Sequence, residues 1–536
     1  MQGISKKKRS WDLFSFSTYK KEYLFCIAAV FIWGLAAHAY GFMQDSFSHD
    51  SLNALNGGSV ETIWKVLIGR YLAPVYRTVT RGDLTMPWTI GLLSLIWISL
   101  AACLIVRMFS VKSRVQIFFI AGILTTNACI SSLTATYIHD LDIDMFALLS
   151  GVGAAYLWHK KDWLSLVCGG ILCAVSLAMY QSYIGATAVV ILFYCFGELQ
   201  KGESAKNVLL SCLRALAMLV IGGVLYFVGL KISSAMTESL AAEAYHGFNT
   251  LSVMNPYLLV RGTKMAVQQY FGRLLFMHTA HSEIAKLMMC ALTLIPVLAI
   301  IIRMLIRKIS IVAKLLSLLM VALVPVASGV SCLFTTSAVH ELIFYPVYMT
   351  YAFALILVCR DSAEEGKKPK RLFKSAFICG LCVMLGLNVF TSNGMYLKKD
   401  LEQDAALSLM TRMVYRIEEQ ADYIPCETPV AFFGNISQIQ PSAEMGPYSA
   451  YAGMNNPVPY RGFLSPSYNS YAPYIKYKMG NTIKLCDTET WYWMYLNPEV
   501  EALPVYPAEG CVKMIDGVMC VKVGAYRIPD AYRTNE

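Results

Sequence analysis

Hydrophobic positions in this chain gather into long runs, separated by short polar stretches in which Lys and Arg cluster. A helix needs about 20 such residues to cross a hydrocarbon core of roughly 30 Å. By that measure the pattern predicts about eleven membrane spans, near residues 23–43, 87–108, 115–134, 143–159, 163–180, 183–198, 208–230, 284–304, 311–333, 339–359 and 373–391. The basic clusters Lys20/Lys21, Arg107/Lys112/Arg114, Lys160/Lys161, Lys201/Lys206, Arg303/Arg307/Lys308/Lys314 and Lys367/Lys368/Lys370/Arg371 then all fall on one side. Short loops with that bias face the cytosol. The first run follows Lys6-Lys7-Lys8-Arg9 but is long enough to span, with no small-residue cleavage site behind it. It reads as a retained first span with a cytosolic N-terminus.

The opposite loops, 44–85, 135–145 and 231–283, are longer or acidic, and an odd number of spans puts the tail on their side. The expected organisation is a transmembrane domain over 1–391 and an extracytoplasmic domain over 392–536. In the tail Leu401, Ala405, Leu409, Met413 and Ile417 recur at helical spacing, Pro429 to Gly434 reads as a buried strand, and Val512 to Val523 reads as a hairpin turning at Asp516-Gly517. The fold class is a polytopic α-helical membrane protein with a small C-terminal α/β domain.

Composition narrows the function. Apolar residues make up 56% of the 536 and charged residues 15%, against about 25% charged in soluble domains. The net charge of +10 sits beside the spans, which points to the lipid bilayer and away from nucleic acid. The span interiors carry almost none of the charges that ion-coupled transporters and channels hold at mid-membrane, and no Walker, dinucleotide, HExxH or GxSxG motif occurs. The chemistry is therefore expected in the outer loops.

In the first of these, Asp50, with Asp45 nearby, stands just past the first span. A carboxylate there can take a proton from an acceptor hydroxyl, or it can cap a short helix from Ser51 to Asn56. Residues 60–75 carry an apolar stripe through Trp64, Leu67, Ile68 and Tyr71, predicting one amphipathic helix on the membrane surface with Arg70 and Arg77 on a shared edge. Guanidinium groups so placed suit a lipid-linked phosphate or snorkel to headgroups. Asp140, Asp142 and Asp144 are expected in a turn between spans, able to hold a divalent cation, to supply an acid or base, or simply to be solvated. In the third loop Arg261, Lys264 and Gln268 share a helical face, with Arg273, His278 and His281 beyond, and its cations can neutralise a phosphate leaving group. Of the sixteen cysteines, Cys426, Cys486, Cys511 and Cys520 lie in the tail. The expected disulfides are Cys511 with Cys520 across the hairpin and Cys426 with Cys486, the alternative being buried thiols.

These motifs occur in an order that resembles a known family. Phe47-Ser48-His49-Asp50-Ser51-Leu52, then Gly69-Arg70, then Tyr137-Ile138-His139-Asp140, then Leu177-Ala178-Met179-Tyr180-Gln181, and finally Pro429 to Gly434 resemble the serotype-converting, O-antigen-modifying glucosyltransferases of the type II Gtr family, within the GT-C class. The resemblance implies transfer of a hexose, most often glucose, from polyprenyl phosphate to an O-antigen or lipopolysaccharide sugar on the periplasmic face of the bacterial inner membrane. Taken with the residue patterns above, Asp50 is expected as preferred base with the Asp140/Asp142/Asp144 turn as second acidic element, and Arg70 with Arg261 and Lys264 on the donor phosphate. His49, Tyr180 and Gln181 would bind substrate. His49 stands where many members have a second acid. The competing readings are an O-antigen polymerase or ligase and a lipid-linked sugar flippase.

Overall fold

The computed structural model describes residues 16–44, 48–55, 59–237, 255–274, 283–307, 309–334, 339–363, 368–434, 436, 448, 454, 471–481 and 483–528. Helix α1 (Phe16–Met43) leads into the first loop, which holds α2 (His49–Ala54), α3 (Ser59–Leu67) and α4 (Leu72–Thr80). The bundle continues with α5 (Pro87–Met108), α6 (Arg114–Thr125), α7 (Ala128–Thr136), α8 (Ile138–His159), α9 (Trp163–Met179), α10 (Ile184–Gln200) and α11 (Ala205–Met236). After α12 (Pro256–Gly272) come α13 (Glu283–Ile306), α14 (Ile311–Ser328), α15 (Tyr345–Ala363) and the 51-residue α16 (Lys368–Glu418).

Among the described residues seven helices are long and apolar enough to cross a membrane, or eight if the bent pair α6–α7 is one span. The expected spans at 163–180, 284–304 and 339–359 are also helical, but yield only the shorter apolar stretches Trp163–Met179, Leu294–Ile306 and Tyr345–Arg360. The protein is thus a polytopic helical membrane protein. Helix α8 is its axis: 83% of its apolar window is buried, against 22% for α11, and it packs on α5, α9 and α10.

The span expected at 115–134 is broken by about 40° between α6 and α7. Asn127 makes the break tolerable. Its side chain caps α7 by accepting from the Ile130 amide (3.3 Å) and donates to the carbonyls of Ile123 (3.2 Å) and Leu124 (3.1 Å), groups that a helix end would otherwise leave unpaired.

No break occurs at residue 392, where α16 runs on for about 76 Å in all. Its C-terminal stripe keeps the expected Leu409, Met413 and Ile417 and is widened by Ala406, Met410 and Val414, all buried, while the expected Leu401 and Ala405 are exposed. This stripe packs on one face of a three-stranded sheet ordered β1 (Val430–Phe433), β3 (Val518–Lys522), β2 (Val512–Ile515), with β1 parallel and β2 antiparallel to β3. Helices α17 (Tyr471–Met479), α18 (Thr488–Tyr495) and α19 (Pro498–Ala502) complete the unit. The hairpin turns at Asp516-Gly517 with φ of 46° and 77°, the twist-matched geometry that Asp-Gly favours.

The register also corrects the expected disulfides. Cys520 stands opposite Lys513, and Cys511 and Cys520 face different cores, with Val521 and Met413 around the first and Phe433 and Trp491 around the second. A bridge cannot pass through the sheet. Cys486 lies level with Ala431, which separates it from Cys520 in the row of strands, and no disulfide joins it to Cys426. Burial pushes the Cys520 thiol up to about 12 and raises that of Cys511, so both behave as core residues.

Candidate functional site

The single amphipathic helix expected over 60–75 is two helices, and the break between them builds the site. Gly69 adopts φ +79°, which a side-chain-bearing residue reaches only at a cost of about 1–2 kcal/mol. A Cβ there would also lie 2.4 Å from Tyr226 Oη and 2.7 Å from Gln181 Nε2. Those two side chains use the space: Gln181 Nε2 donates to the Ile68 carbonyl (2.8 Å) and Tyr226 Oη to the Gly69 carbonyl (3.2 Å). The Gly69-Arg70 and Tyr180-Gln181 motifs, over a hundred residues apart, are therefore one contact. Arg70 completes it by laying its guanidinium 3.8 Å over the ring of Tyr180.

The three aspartates do not form a turn. They belong to the first turns of α8, where the 3.6-residue period puts Asp140 and Asp144 on one face and Asp142 on another. Each face meets different cations. Lys65 forms a short ion pair with Asp140, and Arg70 Nη1 lies 3.7 Å from the same carboxylate. Arg81 grips Asp142 with both edges of its fork, Nε to Oδ2 at 2.8 Å and Nη2 to Oδ1 at 3.2 Å, with both side chains completely buried. Three further bonds, to the carbonyls of His139 (2.6 Å), Leu84 (2.8 Å) and Gly82 (3.3 Å), fix the guanidinium plane. Arg77, wholly buried, donates from Nη1 to His139 Nε2 (2.6 Å), while His139 Nδ1 faces Thr85 Oγ1 (2.7 Å). It neither snorkels nor shares an edge with Arg70.

Asp144 differs from its neighbours. It is 3% exposed, and no described residue hydrogen-bonds or ion-pairs with its carboxylate, although Lys65, Arg70 and Asp140 lie within electrostatic reach. On the same interior side Cys129 is within electrostatic reach of Asp144 and of a buried ion pair, Arg273 Nη1 to Glu341 Oε1 at 2.8 Å, and its Sγ donates to the Leu342 carbonyl at 3.2 Å. Tyr180, Tyr183 and Tyr345 form a row of rings 5.7–5.8 Å apart along this interior.

Other expected positions lie elsewhere. Arg261 and Lys264 are exposed on α12, opposite the face of Gly262, Ala266 and Tyr270 that packs into the protein, so they do not join Arg70. Helix α2 begins at His49, with Ser48 at its cap (Ser51 N to Ser48 Oγ, 3.4 Å), which puts Asp50 inside the helix and not at its cap. Helix α2 packs against α8 and α17, and its Leu52 enters the C-terminal core. The side chains of His49 and Asp50 lie outside the described residues, as do Asp45, His278 and His281. Among the described residues no group of three or more His, Cys, Asp or Glu is arranged for a metal ion. Asp140 and Asp142 face cations, a poor fit for the divalent ion considered from sequence. Sequence reading missed Lys65, Arg81 and Glu341, and held His139 only as part of a motif, without a role. A signal for Arg81 existed in its i+4 spacing from Arg77.

A bundle of apolar spans whose central helix ends in three carboxylates, braced by cations from the first loop, defines a membrane protein with its polar chemistry gathered at one end. The chain belongs to the Glucosyl transferase GtrII family, which matches residues 39–359, more than half of its length. It is accordingly a glycosyltransferase-family enzyme, and the match covers every residue of the α8 cluster. Comparison with curated proteins and with solved structures gives no significant match.

Proposed function

We propose that the protein transfers a hexose, in the first instance glucose, from polyprenyl phosphate to a sugar of O-antigen or lipopolysaccharide, on the periplasmic face of the bacterial inner membrane. The observation that carries this reading is the division of labour among the α8 carboxylates. Asp142 is consumed by Arg81 and holds the first loop to α8. Asp140 positions Lys65 and Arg70, whose charges suit the donor phosphate. Asp144 remains for proton transfer.

In the reaction the acceptor hydroxyl loses its proton to the Asp144 carboxylate as its oxygen bonds to the anomeric carbon. The bond from that carbon to the phosphate oxygen breaks, and Lys65 and Arg70 neutralise the polyprenyl phosphate that leaves. Tyr180 and Gln181 shape the sugar pocket beside Arg70. Asp50 belongs to α2, which packs against α8, and is the second carboxylate proposed for the reaction; the C-terminal unit, tied to α2 through Leu52, helps hold the acceptor. The alternation of basic clusters supports an orientation with the outer end of α8 in the periplasm.

The test uses vesicles containing the protein, supplied with polyprenyl-phosphate-linked radiolabelled glucose and O-antigen acceptor. Transfer of label is expected. Its absence, with an acceptor that another glucosyltransferase modifies, would overturn the glucosyl reading.

A further inference from the structure

Pro296 interrupts α13 and Pro325 interrupts α14. A proline inside a helix removes one backbone bond and bends the axis away from its neighbour. Both prolines line the same cavity, which α10, α12 and α15 close on the other sides. Its wall is almost entirely hydrocarbon, including Phe193, Phe271, Val297, Val324 and Ala354. The three polar side chains that reach it are engaged with the protein: Tyr351 Oη donates to the Leu274 carbonyl (3.3 Å), Thr350 Oγ1 to the Val347 carbonyl (2.6 Å), and the Tyr270 hydroxyl bonds to Thr350. Such a wall offers nothing to a sugar or an ion. Along α15 the lining runs from Thr350 to Leu357, about 10 Å of helix rise.

One end of this cavity adjoins the charged site. Arg273 lies between two lining residues, Phe271 and Leu274, and its buried guanidinium pairs with Glu341, takes Gln269 Oε1 at 3.0 Å and covers the ring of Phe344 at 4.1 Å. The pair sits beside α7, where Cys129 Sγ donates to the carbonyl of Leu342, the neighbour of Glu341 (3.2 Å), and α7 leads directly into the acidic end of α8. A cation at the mouth and hydrocarbon beyond it match a lipid whose phosphate stays at the charged site while its chain runs into the bundle.

We infer that this cavity seats the isoprenoid chain of the donor, which enters past Arg273. The inference rests on the polyprenyl-phosphate donor proposed above. The chain's methyl-branched hydrocarbon buries against aromatic and β-branched walls, and the Arg273–Glu341 pair marks the polar end of the cavity, beyond which Lys65 and Arg70 hold the phosphate.

The experiment compares two donors, glucosyl phosphate on a long polyprenyl chain and on a chain of two isoprene units, with the wild type, Ala354→Phe and Val297→Phe in vesicles. Filling the cavity from either helix should lower the ratio of long-chain to short-chain kcat/KM by roughly tenfold. Using the ratio within one variant removes any loss of folded protein. Alongside it, a diazirine-tailed polyprenyl phosphate should label peptides of α13–α15, with displacement by unlabelled polyprenyl phosphate and not by phosphatidylglycerol. An unchanged ratio in both variants would overturn the inference while leaving glucosyl transfer standing. Displacement by phosphatidylglycerol would also overturn it, identifying a site for ordinary acyl chains. No transfer from either donor by the wild type would remove the donor reading and this inference with it.

Discussion

The two ends of α8 carry similar amounts of charge and use it in opposite ways. At the N-terminal end, His139, Asp140 and Asp142 meet partners from 54 to 75 residues away in sequence, and the Arg81–Asp142 pair is completely buried. At the other end Lys160 and Lys161 lead into Asp162, which caps α9 by accepting from the Ser165 amide (2.9 Å). The neighbouring pair Lys201–Glu198 spans three residues, with side chains 44% and 24% exposed. Exposed local pairs contribute little and set topology. Buried long-range pairs cost desolvation that apolar residues would not, so their presence marks a place where charge is required.

That contrast can be broken from either end. The largest effect is expected for Asp142→Ala, which leaves the Arg81 guanidinium buried without its carboxylate at a cost of about 3–5 kcal/mol, read as a lower melting temperature in detergent. Arg81→Met with Asp142→Leu should recover the melting temperature. Failure of that double variant would assign the pair a role beyond neutralisation. Next comes Arg70→Ala, which removes both the Tyr180 stack and the second cation at Asp140. Donor KM should rise by roughly a hundredfold, with melting little changed. Gly69→Ala should cost about 1–2 kcal/mol from the left-handed backbone alone, with a further loss of transfer as Gln181 and Tyr226 are pushed aside. At the quiet end Lys201→Ala should change stability by under about 0.5 kcal/mol and leave transfer rates as they are. A large effect there would erase the distinction between the two ends.

Much of the fold was legible because its signals are local. The apolar runs became helices, and Asp516-Gly517 turned the hairpin as its backbone preference requires. The order of short motifs led to the family that the chain belongs to. The failures share a cause: a local pattern fits two structures and a distant contact chooses between them. The stripe from Trp64 to Tyr71 continues at helical spacing across the break, and only Tyr226 and Gln181 against Gly69 show why a break belongs there. Three aspartates at alternate positions read as a turn equally well as two faces of a helix. Lys65 and Arg81 were invisible as site residues because their carboxylates lie about 60 to 75 residues further on. Four cysteines in one tail domain, two of them flanking a hairpin, suggested pairing, yet the sheet register sends Cys511 and Cys520 to opposite faces.

The central claim is that glucosyl transfer takes place at the outer end of α8, with Asp144 moving the proton. The most direct measurement is the vesicle transfer assay on Asp144→Asn, Asp140→Asn and Asp142→Asn at equal expression, with melting temperature read on each. Asp144→Asn should lower the rate by about 10²–10⁴-fold at a near-wild-type melting temperature, while Asp142→Asn lowers the melting temperature and Asp140→Asn raises donor KM. Transfer at the wild-type rate by folded Asp144→Asn would contradict the account and move the proton acceptor to another residue, Asp50 first.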